Sequence, residues 1–167
     1  MTTAELLLQD FDIEIGMTRR ILERIPEDIP DYKCHEKSMA LGRLAVHVAT
    51  LPRFGITILT TPAMDLATAE WPDMTFVSRE KLLADFDALA AELRIALAAA
   101  SDANLAAIWK FSFGDRVINE HPRSLAYRHM CFNHLIHHRA QLGVYLRLND
   151  LPVPGLYGPS ADEPFTP

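Results

Sequence analysis

The chain has 167 residues, 49% hydrophobic and 23% charged, the balance of an ordinary globular protein with enough length to bury a core. Its net charge of −6, with 16 Lys and Arg spread along the chain rather than gathered in a basic patch, argues against a nucleic-acid partner. The N-terminus lacks a secretory signal pattern, and the longest nearly apolar stretch is interrupted by Arg43, His47, Pro52 and Arg53, so the expectation is one cytoplasmic domain over residues 1–167 with no membrane partner.

Four stretches carry helical periodicity, with stripe positions recurring in alternating steps of four and three. The first stripe is Ala4, Leu8, Phe11, Ile15, Thr18, Leu22 and Ile25; Thr2 and Glu5 predict a capping box at its start, and Pro26 and Pro30 end it. The second is Ala40, Leu44, His47, Leu51, Phe54 and Ile58, with Ser38 as candidate N-cap. Pro52 falls inside it and either kinks the helix, freeing the Val48 carbonyl, or splits it in two. Residues 60–77, with Pro62, Trp71 and Pro72, read as a long crossover. The third stripe is Leu82, Phe86, Leu89, Leu93, Ala96 and Ala100, opened by Ser78. Residues 108–119 alternate apolar and polar about a Gly-Asp turn, as in a small hairpin or an extended loop. The fourth helix is predicted from near Pro122 to about Asn149, where Leu151-Pro-Val-Pro-Gly155 stops it. Together these spacings predict an all-α, antiparallel four-helix bundle with long crossover loops.

The histidines carry the chemistry. His134 and His138 are four apart and so project side by side, on a face shared with Tyr127, Met130, Gln141, Leu142 and Tyr145. His47 sits in the middle of the second stripe. Three imidazoles turned into a core from two helices are costly unless something satisfies them, and a divalent cation does so. A lone inward histidine is more often a hydrogen-bonded core residue; the convergence of three is what points to a metal. His137 falls towards the edge of that face, His129 points away from it, and His35 and His121 precede helix starts. Cys34 and Cys131 form no metal-type pair, and Cys131 reads as a packing residue.

The segment Ser38-Met-Ala-Leu-Gly-Arg-Leu-Ala-Val-His47-Val-Ala resembles the second helix of the DinB/YfiT-like metalloenzyme family. Asn133-His134-Leu-Ile-His-His138-Arg-Ala-Gln-Leu-Gly-Val-Tyr145-Leu-Arg is similar to that family's H-x-x-x-H helix, and residues 151–162 resemble the tail of one branch. The resemblance implies a four-helix bundle, commonly a homodimer, whose metal sits on three histidines; these map onto His47, His134 and His138. It also implies an activity among low-molecular-weight thiol S-transferases and their relatives, although many members have no assigned reaction.

Three neutral ligands leave a divalent ion such as Zn or Ni its full charge and an open position, the layout of a catalytic rather than a structural site. The open position suits the sulfur of a small thiol attacking an electrophilic substrate, or a water activated for hydrolysis. Hydrolysis needs a general base, and the inward faces carry none; Asp31, Glu36, Asp162 and Glu163 are the carboxylates within reach. Gln141 and Tyr145 are candidates for orienting a substrate. The expected function is thus a metal-dependent thiol transferase, with a hydrolase or a non-enzymatic metal-binding stress-response protein as alternatives.

Overall fold

In the computed structural model, which describes residues 1–165, helix α1 spans Thr3–Leu22. It opens on the predicted capping box: the Glu5 amide donates to Thr2 Oγ1, and the Thr2 amide donates to the Glu5 carboxylate. The last two positions of the expected domain lie outside the described residues. Helix α2 runs Leu41–Thr60 without interruption at Pro52. Its N-cap is Ala40 rather than Ser38, and no side chain caps it. The amides of Leu41 and Gly42 instead donate to the Tyr32 and Pro30 carbonyls, so the preceding loop serves as the cap. Helix α3, Arg79–Ala99, is capped by Ser78, whose hydroxyl accepts from the Lys81 amide; the short α4 follows at Asp102–Ala106. The fourth long helix is continuous in path but mixed in winding: α5 at Arg123–Tyr127, a π-helical turn over Arg128–Phe132, and α6 at Asn133–Leu148.

Two expectations are corrected here. The molecule is not purely helical: β1 (Ala63–Asp65), β2 (Ile108–Phe113) and β3 (Arg116–Pro122) form a three-stranded sheet in the order β1-β2-β3. β2 and β3 are the antiparallel hairpin, turning at Gly114, whose φ of 56° is the left-handed conformation glycine supplies without strain. β1 comes from the crossover and pairs parallel to β2. Asp65 pins it there, its carboxylate accepting from the Gly114 amide at 2.8 Å.

Nor is the bundle antiparallel throughout. Arg94 pairs with Asp12 and Arg19 with Asp87, so α1 and α3 run antiparallel. Tyr145 donates to the Met39 carbonyl while Cys131 reaches the Leu51 carbonyl, so α2 and α6 do as well. However, Arg128 pairs with Asp10 and Arg139 with Glu14, which sets α1 and α6 parallel, and α2 and α3 therefore parallel too. The physical reason is the length of the 61–78 connection, which carries the chain back along the bundle before α3 begins.

The tail from Leu151 is non-helical and is fastened by side chains. Asp162 pairs with Arg147, Glu163 with Arg20, and Tyr157 donates to the Glu14 carboxylate at 2.8 Å. Among the described residues, no helix is long and apolar enough to cross a membrane.

Candidate metal centre

His47, His134 and His138 converge. One ligand nitrogen of each lies within 4.8 Å of the others, and every pair of rings stands 4.6 to 5.1 Å apart between centroids. The Nε2 atoms of His134 and His138 are 2.8 Å apart, and those of His47 and His134 are 3.3 Å apart. α6 contributes its pair through the i, i+4 spacing, and α2 presents His47 from the antiparallel neighbour.

The far nitrogen of each α6 ring is engaged. His138 Nδ1 donates to Gln141 Oε1 at 2.6 Å, and His134 Nδ1 donates to the Met130 carbonyl at 3.3 Å. With the ring protons held at Nδ1, both Nε2 lone pairs point at each other across 2.8 Å. That arrangement repels unless a cation sits between the rings. A proton is a poor candidate at neutral pH: burial, together with the neighbouring His138, His134 and Arg43, pushes His47 down to about 4. Burial likewise lowers the pKa of His134 and of His138. A tetrahedral ion bonded to imidazole at about 2.0–2.1 Å holds its nitrogens about 3.3 Å apart. The donor set, its neutral state and its spacing all fit a divalent metal.

Gln141 has a second duty. Its amide donates to His137 Nε2 at 3.2 Å, so His137 backs up the orientation of His138 from the exposed edge of the helix, where the spacing placed it. Tyr145 is occupied by the Met39 carbonyl at 2.8 Å. Cys131 is buried, at 2% exposure, and its thiol is pushed up to about 12 by burial; it packs against Gly55 rather than facing the histidines.

A cleft of about 720 Å³ lies over this centre and is lined by both His47 and His134. Most of its wall is apolar, including Phe54, Phe111, Met64, Met74 and Met130. Its polar groups include Arg43, Arg53, Thr50, His129 and Glu70. None of these five is assigned to the site by the sequence. His129 comes onto the cleft because it precedes His134 by five residues, and the i→i+5 bonding of a π turn aligns residues five apart. Glu70 comes from the crossover, whose path no local pattern specifies. The carboxylates expected within reach are elsewhere: Asp162 and Glu163 are held by Arg147 and by Arg20 with Arg24, and neither Asp31 nor Glu36 lines the cleft.

Comparison with known proteins agrees with this architecture. The chain is 25% identical over 168 residues to the uncharacterized protein YrdA of Bacillus subtilis (strain 168), an alignment covering 96% of this chain and 92% of that protein. The crystal structure of a DinB-like protein from Bacillus cereus ATCC 10987 shares the fold at a TM-score of 0.66 and 24% identity, over 90% of this chain and 95% of its own. The DinB family model matches residues 1–165, and the chain belongs to the DinB family.

Proposed function

We propose that His47, His134 and His138 hold one divalent cation, zinc or nickel by the preference of imidazole nitrogen, and that the protein is a metal-dependent transferase joining a low-molecular-weight thiol to an electrophile. The observation that carries the proposal is the 2.8 Å approach of two Nε2 atoms whose rings both turn the other nitrogen to an oxygen acceptor. Among the described residues no fourth His, Cys, Asp or Glu joins the three, and the cleft reaches His47 and His134 from one side. That openness favours a reactive site over a purely structural one.

A divalent cation held there would supply positive charge that lowers the pKa of an incoming thiol. In the overall exchange, R–SH and R′–X become R–S–R′ and HX. The sulfur–carbon bond forms, the carbon–X bond breaks with its electron pair leaving on X, and the thiol proton passes to solvent. The chain's own residues orient and exclude: Gln141 and the Met130 carbonyl fix the rings, and the apolar walls keep water from competing for the electrophile.

Glu70 supports a second reading. It is the carboxylate lining the cleft among the described residues, and a hydrolase would use it as general base. One experiment separates the two. Zinc-loaded protein is given a cysteinyl sugar thiol and 1-chloro-2,4-dinitrobenzene, and thioether is quantified by mass spectrometry for wild type, His134→Ala and Glu70→Gln. The transferase reading expects thioether formation that His134→Ala abolishes and Glu70→Gln retains. No rate above the metal-free protein would refute it.

A further inference from the structure

The cleft is unusual in what it leaves unpaired. Arg43 and Arg53 both line it, and neither guanidinium makes an ion pair or hydrogen bond among the described residues, although the chain as a whole carries a net charge of −6. Elsewhere Arg19, Arg20, Arg24, Arg94, Arg128, Arg139 and Arg147 hold carboxylates and Arg79 and Arg123 donate to backbone carbonyls; Arg116, on the exposed hairpin, is the other arginine without a partner among the described residues. Against these two cations the cleft wall sets one carboxylate, Glu70.

Position matters as well as sign. Arg43, His47, Thr50, Phe54 and Thr57 recur on α2 at steps of four, three, four and three, and all five line the cleft. α2 therefore lays along the cleft, in order, a cation, an imidazole of the centre, a hydroxyl and an aromatic ring. Arg43 is one turn, about 6 Å along the axis, before His47. Phe54 lies two turns beyond His47 with Phe111 beside it, ring centroids 5.6 Å apart, and Met64, Met74 and Trp71 add further apolar wall to the same cleft. Trp71 is 66% exposed at its rim, an indole that a ligand would cover.

We infer that this cleft takes an amphipathic organic anion. Its carboxylate is held by Arg43, and its aryl or alkyl body lies in the methionine- and aromatic-lined hollow, so that the carbons between them pass over His47 and His134, the two rings of the centre that face the cleft. The polarisable thioethers suit an aromatic or soft apolar group, and the volume is that of a pocket for a ligand of ordinary small-molecule size. This rests on the reading of the histidine cluster as the reactive centre, for which it supplies the electrophile's class; the binding claim itself is tested without metal.

Trp71 provides the signal and Trp109, wholly buried, a constant background. Metal-free protein is titrated with 4-phenylbutyrate and with 4-phenylbutan-1-ol, following the blue shift of tryptophan emission, with Trp71→Phe as the control that removes it. The acid should bind at least tenfold more tightly than the alcohol. Arg43→Gln should bring that ratio below threefold while leaving alcohol binding and the melting temperature unchanged, and Arg43→Lys should keep part of the preference. Equal binding of acid and alcohol, a preference that survives Arg43→Gln, or no response to either probe at millimolar concentration would overturn the inference. Because no metal is present, failure of the three histidines to retain an ion in a separate assay leaves this result standing, and the two claims fall independently.

Discussion

Gln141 accepts the Nδ1 proton of His138 at 2.6 Å, and that one bond turns the opposite nitrogen of the ring towards His134. The relationship is a local one on α6, three residues apart, yet it decides which tautomer faces the centre. Replacing Gln141 by Leu removes the acceptor without changing the fold's apolar contacts. Zinc affinity, measured by competition with a chromophoric chelator, should fall by about 10- to 100-fold. An unchanged affinity would mean that the His138 tautomer is set by something else.

Helix α2 approaches both α3 and the π turn closely at Gly55. A Cβ there would lie 2.8 Å from both Cys131 Sγ and a Leu93 methyl carbon, and both neighbours are buried. Gly55→Ala should therefore cost about 1–3 kcal/mol through overpacking, read from urea denaturation. Widening the α2–α6 spacing should also weaken metal binding at His47, two turns away.

Arg139, 1% exposed, forms a 2.6 Å ion pair with Glu14 and donates to Thr18 and Tyr157. It links α1, α6 and the tail. Glu14→Ala strands the guanidinium in the interior and should destabilise by about 3–5 kcal/mol, whereas Glu14→Leu combined with Arg139→Met should recover most of that loss. The comparison of single and double variants in urea denaturation checks it.

The pH dependence follows from the sign of the histidine shifts. Burial holds His47 well below its ordinary value of 6.5, at about 4, and shifts His134 and His138 in the same direction. Between those values the unfolded chain binds more protons than the folded one. The histidines should therefore make the metal-free protein lose stability as pH falls from about 6.5 towards 4. Thermal melting of chelator-treated protein between pH 7.5 and 4.5 tests this, and His47→Gln should show a shallower decline. A melting temperature that rises over the same interval would contradict it.

The helices were legible because their signals are local. The Thr2–Glu5 box and the Ser78 cap each span four residues, and the stripe through Leu44, His47 and Leu51 placed His47 opposite the α6 pair. What escaped is non-local. Strand β1 is three residues whose only reason to be extended is the hairpin they join, and Gly-Asp at 114–115 announces the hairpin but not its third strand. The parallel neighbours among the helices depend on where the crossover leads, not on any residue within it. The π turn at Arg128–Phe132 shifts the winding that a uniform helical count assumes, which is why His129 lines the cleft; separately, the Tyr32 and Pro30 carbonyls cap α2 in place of Ser38 because the preceding loop folds back on the helix start, a path that no local pattern specifies.

Metal content is the most direct test. Protein expressed without an affinity tag and equilibrated with zinc should carry one equivalent per chain by elemental analysis after exhaustive dialysis. His47→Ala, His134→Ala and His138→Ala should each reduce retention at least tenfold while keeping the helical circular dichroism. Wild-type protein without stoichiometric metal, or alanine variants that retain it undiminished, would contradict the central claim that these three rings grip a single ion.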